Sequence, residues 1–285
     1  MFPLTCPTCG MPLQFEGGSY RCRKRHTFDQ AKSGYVNLLE VTQKRSKQPG
    51  DNKLMATARR DFLNKGYYEF LSNAINDTAC SLPYKRKTLR ILDVGCGEGY
   101  YTTRLAEALH SLNKKFELLG IDISKYAVDL AARRWKKAFQ LMPDIENAEF
   151  AAASAFRLPT ESSVCDLALN LFAPFCQEEL LRVLSPGGFL IMAIPGKEHL
   201  WELKQIIYDT PYQNEVKDYP LEGFHFLKAK KIKLLLTLPT QQDILHLFEM
   251  TPYYYKTSKE GLERLDKLEH LAVTASFELL IYQKI

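Results

Sequence analysis

Three cysteines and a histidine open the chain at a spacing suited to a metal ion: Cys6-x2-Cys9-x12-Cys22-x3-His26. A CxxC knuckle turns two thiolates toward one ion, and twelve intervening residues let a short hairpin return the second pair. Four such ligands close a tetrahedron and leave no position for water. The expected role is therefore structural, one zinc ion holding a segment too small to build its own core. The other cysteines (Cys80, Cys96, Cys165 and Cys176) are scattered, and the total of seven is odd. That pattern suits free thiols in a reducing compartment, not a disulfide framework. The remaining histidines are isolated.

A second constellation follows the apolar run LRILDV: Asp93-Val94-Gly95-Cys96-Gly97-Glu98-Gly99. Glycines here permit a tight strand-to-helix turn and close approach of backbone to a ligand. The pattern is DxGxGxG and not GxGxxG, and no phosphate-binding lysine follows, which argues against a nucleoside triphosphate. Asp122 ends the next apolar run, where a carboxylate can accept both hydroxyls of a ribose. Together these are the arrangement of class I methyltransferases, with S-adenosyl-L-methionine held at Asp93, Gly95, Gly97, Gly99 and Asp122. The plain alternatives are an ordinary strand–helix turn and support for a helix N-cap.

The elements that must position these groups alternate. Thr57–Cys80 reads as an amphipathic helix, 89–94 as a buried strand, 99–111 as a helix, 116–121 as a strand, and 124–140 as a helix capped by Ser124. Strand 165–171, helix 177–184 and strand 188–194 continue the series. Strand–helix alternation predicts a parallel, doubly wound α/β sheet. The ending, strand-like 224–236, a helix over TQQDILHLFEM and strand 274–282, suits a mixed sheet with a reversed last strand. The expected division is a zinc-binding segment 1–36, which the family resemblance given below implies to be RNA-recognising, a basic linker 37–57 containing the turn Pro49-Gly50-Asp51, and a Rossmann-like methyltransferase domain 58–285.

Composition excludes a disordered chain, since 46% of residues are hydrophobic and 25% charged. No apolar run is long enough to span a bilayer, and MFPLTCPTCG lacks the features of a secretion signal, so a cytoplasmic protein is expected. The net charge of +5 is localised: residues 21–65 hold 12 Lys/Arg against 4 Asp/Glu. A basic stretch beside a metal site suits a polyanion; a solvated linker is the bland alternative.

The whole chain resembles the bacterial 23S rRNA (guanine-N1)-methyltransferase family (RlmA-type, large-subunit rRNA methyltransferase A). The residues that carry the resemblance are CPTCG…YRCRKRHTFDQAKSGYVNLL, KRSKQPGD, ARRDFLNKGYYEFL, ILDVGCGEGYYT, GIDISK and PGKEHLWELK. The resemblance implies zinc on Cys6, Cys9, Cys22 and His26. It implies cofactor contacts at Tyr68, at Gly97 and Glu98, and at His199, as well as a homodimer acting on one hairpin of 23S rRNA. The linker leans toward the branch that modifies guanine 745 over the neighbouring 748 site.

Transfer to guanine N1 requires an unpaired or flipped base. Asn170 and Phe172, in Asn170-Leu171-Phe172-Ala173-Pro174, are the candidates at the acceptor mouth, for hydrogen bonding and stacking respectively. Asp166, at the start of that strand, reads as structural, and His199 is a second-rank candidate for taking the proton. Arg21, Arg23, Lys24, Arg25, Lys44, Arg45 and Lys47 would hold RNA phosphates without reading sequence. The rival reading is a small-molecule methyltransferase with a structural zinc knob. Separate roles for the two parts would let Cys9→Ser impair RNA methylation while cofactor binding stays nearly intact.

Overall fold

The computed structural model describes residues 2–40, 50–140, 148–215 and 219–285. Its centre is a run of parallel strands, β5 (Thr88–Val94), β6 (Lys115–Asp122), β7 (Ala148–Ala152), β8 (Cys165–Leu171) and β9 (Leu184–Pro195). These are buried on both faces, which is why they read as near-continuous apolar runs and not as alternating ones. The sheet has eight strands in the order β10-β11-β9-β8-β5-β6-β7-β4, where β4 is Val36–Asn37, β10 is Phe224–Leu238 and β11 is Leu271–Lys284. Strand β11 runs antiparallel between β9 and β10, so the reversed last strand is present. The order reverses at β5, which opens a crevice beside the carboxyl ends of β5, β6 and β8.

One face carries α1 (Lys53–Asn64), α2 (Glu69–Ser81), α3 (Tyr100–Ser111) and α4 (Lys125–Phe139). Phe62, Leu71, Ile75, Leu105 and Val128 lie with Ile91 and Leu118 in one apolar cluster on that face. The expected single helix over 57–80 is two helices, because the chain turns at Gly66 with φ +81°. Helix α1 also begins at Lys53, earlier than the boundary at 58, with Asn52 Oδ1 accepting from the Met55 amide as its cap.

The N-terminal residues cover part of the other face. Strands β1 (Gln14–Glu16), β2 (Ser19–Arg21) and β3 (Thr27–Asp29) form a small antiparallel sheet. Phe2, Leu4, Leu13, Tyr20, Val36 and Leu38 share one apolar cluster with Leu92, Val94, Leu119 and Ile121 of the sheet and with Leu180. Strand β4 pairs in parallel with β7 across the expected boundary at residue 36. The Thr5 amide donates to the Pro159 carbonyl at 3.0 Å, and Thr160 Oγ1 to the Pro3 carbonyl at 2.7 Å. Residues 2–38 and the sheet therefore share a core. Strand β7 and helices α6 (Trp201–Ile207) and α8 (Lys259–Leu265) were not expected from periodicity; helices α5 (Gln177–Val183) and α7 (Gln241–Glu249) were. The two unexpected helices span seven residues each, too short for a 3.6-residue period to stand out.

Candidate active site and metal centre

The hairpin brings the four metal candidates together. Their ligand atoms all lie within 4.8 Å of one another. Cys6 Sγ and Cys22 Sγ are each 3.4 Å from His26 Nδ1, and Cys9 Sγ is 3.7 Å from Cys22 Sγ. A tetrahedron with Zn–S bonds of about 2.3 Å has edges of about 3.8 Å, so thiolates and imidazole at these distances fit one zinc ion. Arg21, Arg23, Lys24 and Arg25 surround the second knuckle, all exposed and none in an ion pair among the described residues. Lys44, Arg45 and Lys47 lie outside the described residues.

At the carboxyl end of β5 the glycine turn is tied to its neighbour strand. The Gly95 and Cys96 amides both donate to the Ile121 carbonyl at 2.8 Å. Gly95, Gly97 and Gly99 all take positive φ, which favours glycine. A Cβ on Gly95 would lie 2.3 Å from that of Ala173, whereas one on Gly97 would meet nothing within 4 Å. The turn is thus packed on one side and open on the other. Asp122 Oδ2 accepts from the Gly97 amide at 3.0 Å and Oδ1 from the Ser124 amide at 2.8 Å. Its carboxylate therefore ties the glycine turn to the start of α4. Segment 50–52 packs onto the same strand end, with Ser124 Oγ donating to the Asp51 carbonyl at 2.8 Å.

Asp93 is 1% exposed; its Oδ2 accepts from Thr102, and its Oδ1 has no partner among the described residues. Burial, with Asp122 nearby, pushes this carboxyl up to about 7 against the pull of the Thr102 hydroxyl. An orphaned buried carboxylate oxygen beside an open glycine turn suits the ammonium and sulfonium charges of S-adenosylmethionine. Glu98 turns its side chain away from the turn. Its carboxylate is buried in an ion pair with Arg134 of α4, so its side chain is committed to that helix and only its backbone can serve the turn. The pair lies on the helical side because a charge that deeply placed needs a partner there.

An aromatic group closes the other end of the crevice. Tyr68, at the start of α2, lies 5.0 Å from the ring of Phe277 and 6.5 Å from His199, and its hydroxyl has no partner among the described residues. His199 is 4.6 Å from Phe277, and its Nδ1 accepts from the Ser276 amide at 3.3 Å. A backbone N–H only donates, so Nδ1 is the acceptor and the ring's proton sits on Nε2. Burial, with Lys204 nearby, lowers His199 to about 3. With Nδ1 accepting and burial favouring the neutral ring, the group His199 can offer is its Nε2–H, a donor.

Phe172 is 45% exposed, takes φ +60° and lies 5.4 Å from Phe277. Asn170 is buried, and its Nδ2 donates to the Pro174 carbonyl at 3.2 Å, fixing the loop that presents Phe172. Asp166 lies at the opposite end of the strand, accepting from the Arg90 amide at 2.9 Å, a structural position as expected. Phe277 and Ser276 were not singled out from the sequence. The antiparallel insertion of β11 carries them there, pairing Phe277 with Pro195.

Strand order, glycine turn and cysteine cluster define a class I S-adenosylmethionine-dependent methyltransferase that carries an N-terminal zinc ribbon. A family model described as "Methyltransferase domain" matches residues 85–251, and one described as "RlmA, N-terminal", a zinc ribbon, matches residues 4–47. The chain belongs to the 23S rRNA (guanine-N1)-methyltransferase family. A protein of Micromonospora griseorubida provisionally given that name is 30% identical over 99% of this chain and 97% of its own length. One of Bacillus subtilis, likewise provisionally named, is 28% identical over 98% and 96%. The 23S rRNA (guanine(748)-N(1))-methyltransferase of Streptomyces fradiae is 34% identical over 70% of this chain and 66% of its own.

Proposed function

We propose that this chain methylates N1 of a guanine in a hairpin of 23S rRNA, using S-adenosyl-L-methionine, and that the target is guanine 745. The observation that supports this best is the exposed Phe172 ring above Phe277, at the strand end next to the Asp93 turn. A flipped base can stack there, in the same crevice as the glycine turn and with its Watson–Crick edge released from pairing. When bound, S-adenosylmethionine would supply an electrophilic methyl to guanine N1, with S-adenosylhomocysteine as the leaving group and the N1 proton passing to water. Asp93, Asp122 and the turn backbone would hold the cofactor, with Tyr68 and the Nε2–H of His199 on its other side. Asn170 would act through the loop that carries Phe172. Holding two reactants in line accounts for much of the acceleration such sites provide.

Arg21, Arg23, Lys24 and Arg25 would grip phosphates, and we read the working unit as a cytoplasmic homodimer. Among the described residues no helix is long and apolar enough to cross a membrane. A second reading places the methyl on guanine 748, which the name of the Streptomyces fradiae relative favours.

The deciding experiment is transfer of labelled methyl to unmodified 23S rRNA, followed by nucleoside analysis and primer extension. Label in 1-methylguanosine with a stop at 745 supports the first reading, and a stop at 748 the second. No RNA label despite bound cofactor would favour a small-molecule acceptor.

A further inference from the structure

Lys204, in the middle of α6, is 0% exposed, and no carboxylate pairs with it among the described residues. Its Nζ donates to Asn214 Oδ1 at 2.6 Å and to the Tyr212 carbonyl at 3.2 Å. The ammonium also lies 4.7 Å from the ring centre of Tyr212 and 5.5 Å from that of Tyr253. Two neutral oxygens and two ring faces are an unusual setting for a buried cation, which normally requires an opposite charge. An apolar side chain would fill the same space at lower desolvation cost, so packing alone does not account for a lysine here.

The residues it holds are specific. Asn214 Nδ2 donates to the Gly196 carbonyl at 2.8 Å, and the Asn214 amide donates to the Lys197 carbonyl at 3.0 Å. Gly196 in turn donates its amide to the Ser276 carbonyl at 2.8 Å and accepts from the His199 amide at 3.0 Å. Ser276 is the residue whose amide orients the His199 ring. Lys204, Asn214 and Gly196 thus form one continuous chain of hydrogen bonds ending on the turn that carries His199. A Cβ on Gly196 would sit 2.6 Å from Ser276 Oγ, so the turn packs closely on β11.

We propose that Lys204 is a positioning residue for the methyl transfer: through Asn214 it holds the Gly196–His199 turn against β11 and so fixes the aim of the His199 Nε2–H into the crevice. It touches neither reactant. The proposal rests on the reading of the crevice as the transfer site, and its test separates the two.

The test compares Asn214→Ala, Asn214→Asp and Lys204→Met with the wild type in the full chain, recording thermal unfolding, kcat and KM on 23S rRNA, and the imidazole nitrogen NMR signals of His199. Asn214→Asp keeps an acceptor for Lys204, and supplies a charge, but loses the donor to Gly196. It is expected to match or exceed wild-type thermal stability and yet lose kcat about as far as Asn214→Ala, roughly tenfold or more, with KM little changed. Lys204→Met is expected to join them, and the double variant Lys204→Met/Asn214→Ala to fall no further than either single one.

In the wild type, His199 should show a single pattern with protonated Nε2; in the variants the signals should shift or broaden. If Asn214→Asp and Asn214→Ala keep kcat within twofold and leave the His199 signals in place, the proposal is overturned, whether or not Lys204→Met folds. If the wild type transfers no methyl to RNA, the functional reading fails, while the His199 signals still decide whether Lys204 positions the ring.

Discussion

The ring of Phe172, in the loop just after β8, lies 5.4 Å from that of Phe277 in β11, tilted by 55°, although the two residues are more than a hundred positions apart. Phe277 is 1% exposed and Phe172 45% exposed, so the pair has a fixed floor and an open upper face. The backbone of Phe172 is held at φ +60° with its amide donating to the Ala193 carbonyl at 3.2 Å, which aims an apolar ring at solvent. A bulky residue in that conformation carries strain, and such strain is concentrated at sites of function. Stacking of one base on an aromatic ring is worth about 1–3 kcal/mol. Phe172→Ala should therefore lower kcat/KM for RNA roughly 5- to 150-fold while the dissociation constant for S-adenosylmethionine stays within about twofold. Calorimetric titration beside the methyl-transfer assay checks both. Equal loss of cofactor binding would remove Phe172 from the acceptor side.

Asp93 makes cofactor affinity depend on pH. With its carboxyl pushed up to about 7 by burial, the empty site holds a proton on Asp93 below that pH. A cationic ligand favours the ionised form, so binding must release that proton. Affinity for S-adenosylmethionine should be level above about pH 7 and fall toward tenfold per pH unit below it. For the empty protein the sign is opposite: a carboxyl raised in the fold contributes stability that is complete below its unfolded value and is lost as pH rises through about 7. Asp93→Asn should bind more weakly throughout and lose the slope. A flat wild-type profile between pH 6 and 8 would show that Asp93 is already ionised in the empty site.

The turn Asp93–Gly99, Asp122 and the Cys6–His26 cluster were legible because each is a local pattern: a few residues whose spacing alone constrains the backbone. The buried strands β5, β6, β8 and β9 were legible for the same reason, as short apolar runs bounded by turns, whereas β7, a run of small residues, was not. Phe277, Ser276 and Lys204 were not. Their roles arise where β11 inserts between β9 and β10 and where α6 folds back on Tyr212, and no window of ten residues encodes that long-range packing. Tyr68 and His199 entered only through the family resemblance. Glu98 shows the converse: it sits in the motif by sequence, but the nearest compensating charge, Arg134, draws its carboxylate to the helical side.

The shared core changes what metal loss should do. Spacing suggested a ribbon that could be loosened without disturbing the cofactor site. In the structure the Leu4–Thr5 segment is bonded to Pro159 and Thr160, and the same connection begins at Ala153, whose amide donates to the Asp122 carbonyl at 3.0 Å. Cys6 and Cys22 belong to the cluster that contains Val94 and Ile121. Cys9→Ser, or removal of zinc by a chelator, should lower one cooperative thermal transition by at least about 5 °C, without splitting it into two. Affinity for S-adenosylmethionine should weaken along with RNA methylation. Two separate transitions, with the cofactor-stabilised one unmoved, would show that ribbon and sheet are independent after all.

Arg23 and Arg25 flank the second zinc knuckle, both exposed and neither in an ion pair among the described residues. Arg25 takes φ +65° in the turn between Cys22 and His26, where its amide donates to the Cys22 carbonyl at 2.8 Å. The metal-bound turn thus presents two guanidiniums on a rigid base, which lowers the ordering cost of gripping a phosphate. Replacing both by glutamine should leave zinc content and thermal stability near wild type, because neither side chain supports the fold. RNA affinity should fall, and the slope of log K against log salt should become shallower by about one for each phosphate that is no longer gripped. Since gripping phosphates positions the RNA without reading its sequence, the site of methylation should stay the same while its rate at low RNA concentration drops. An unchanged salt slope would place the RNA path away from the ribbon, and a changed methylation site would give these arginines a part in choosing the base.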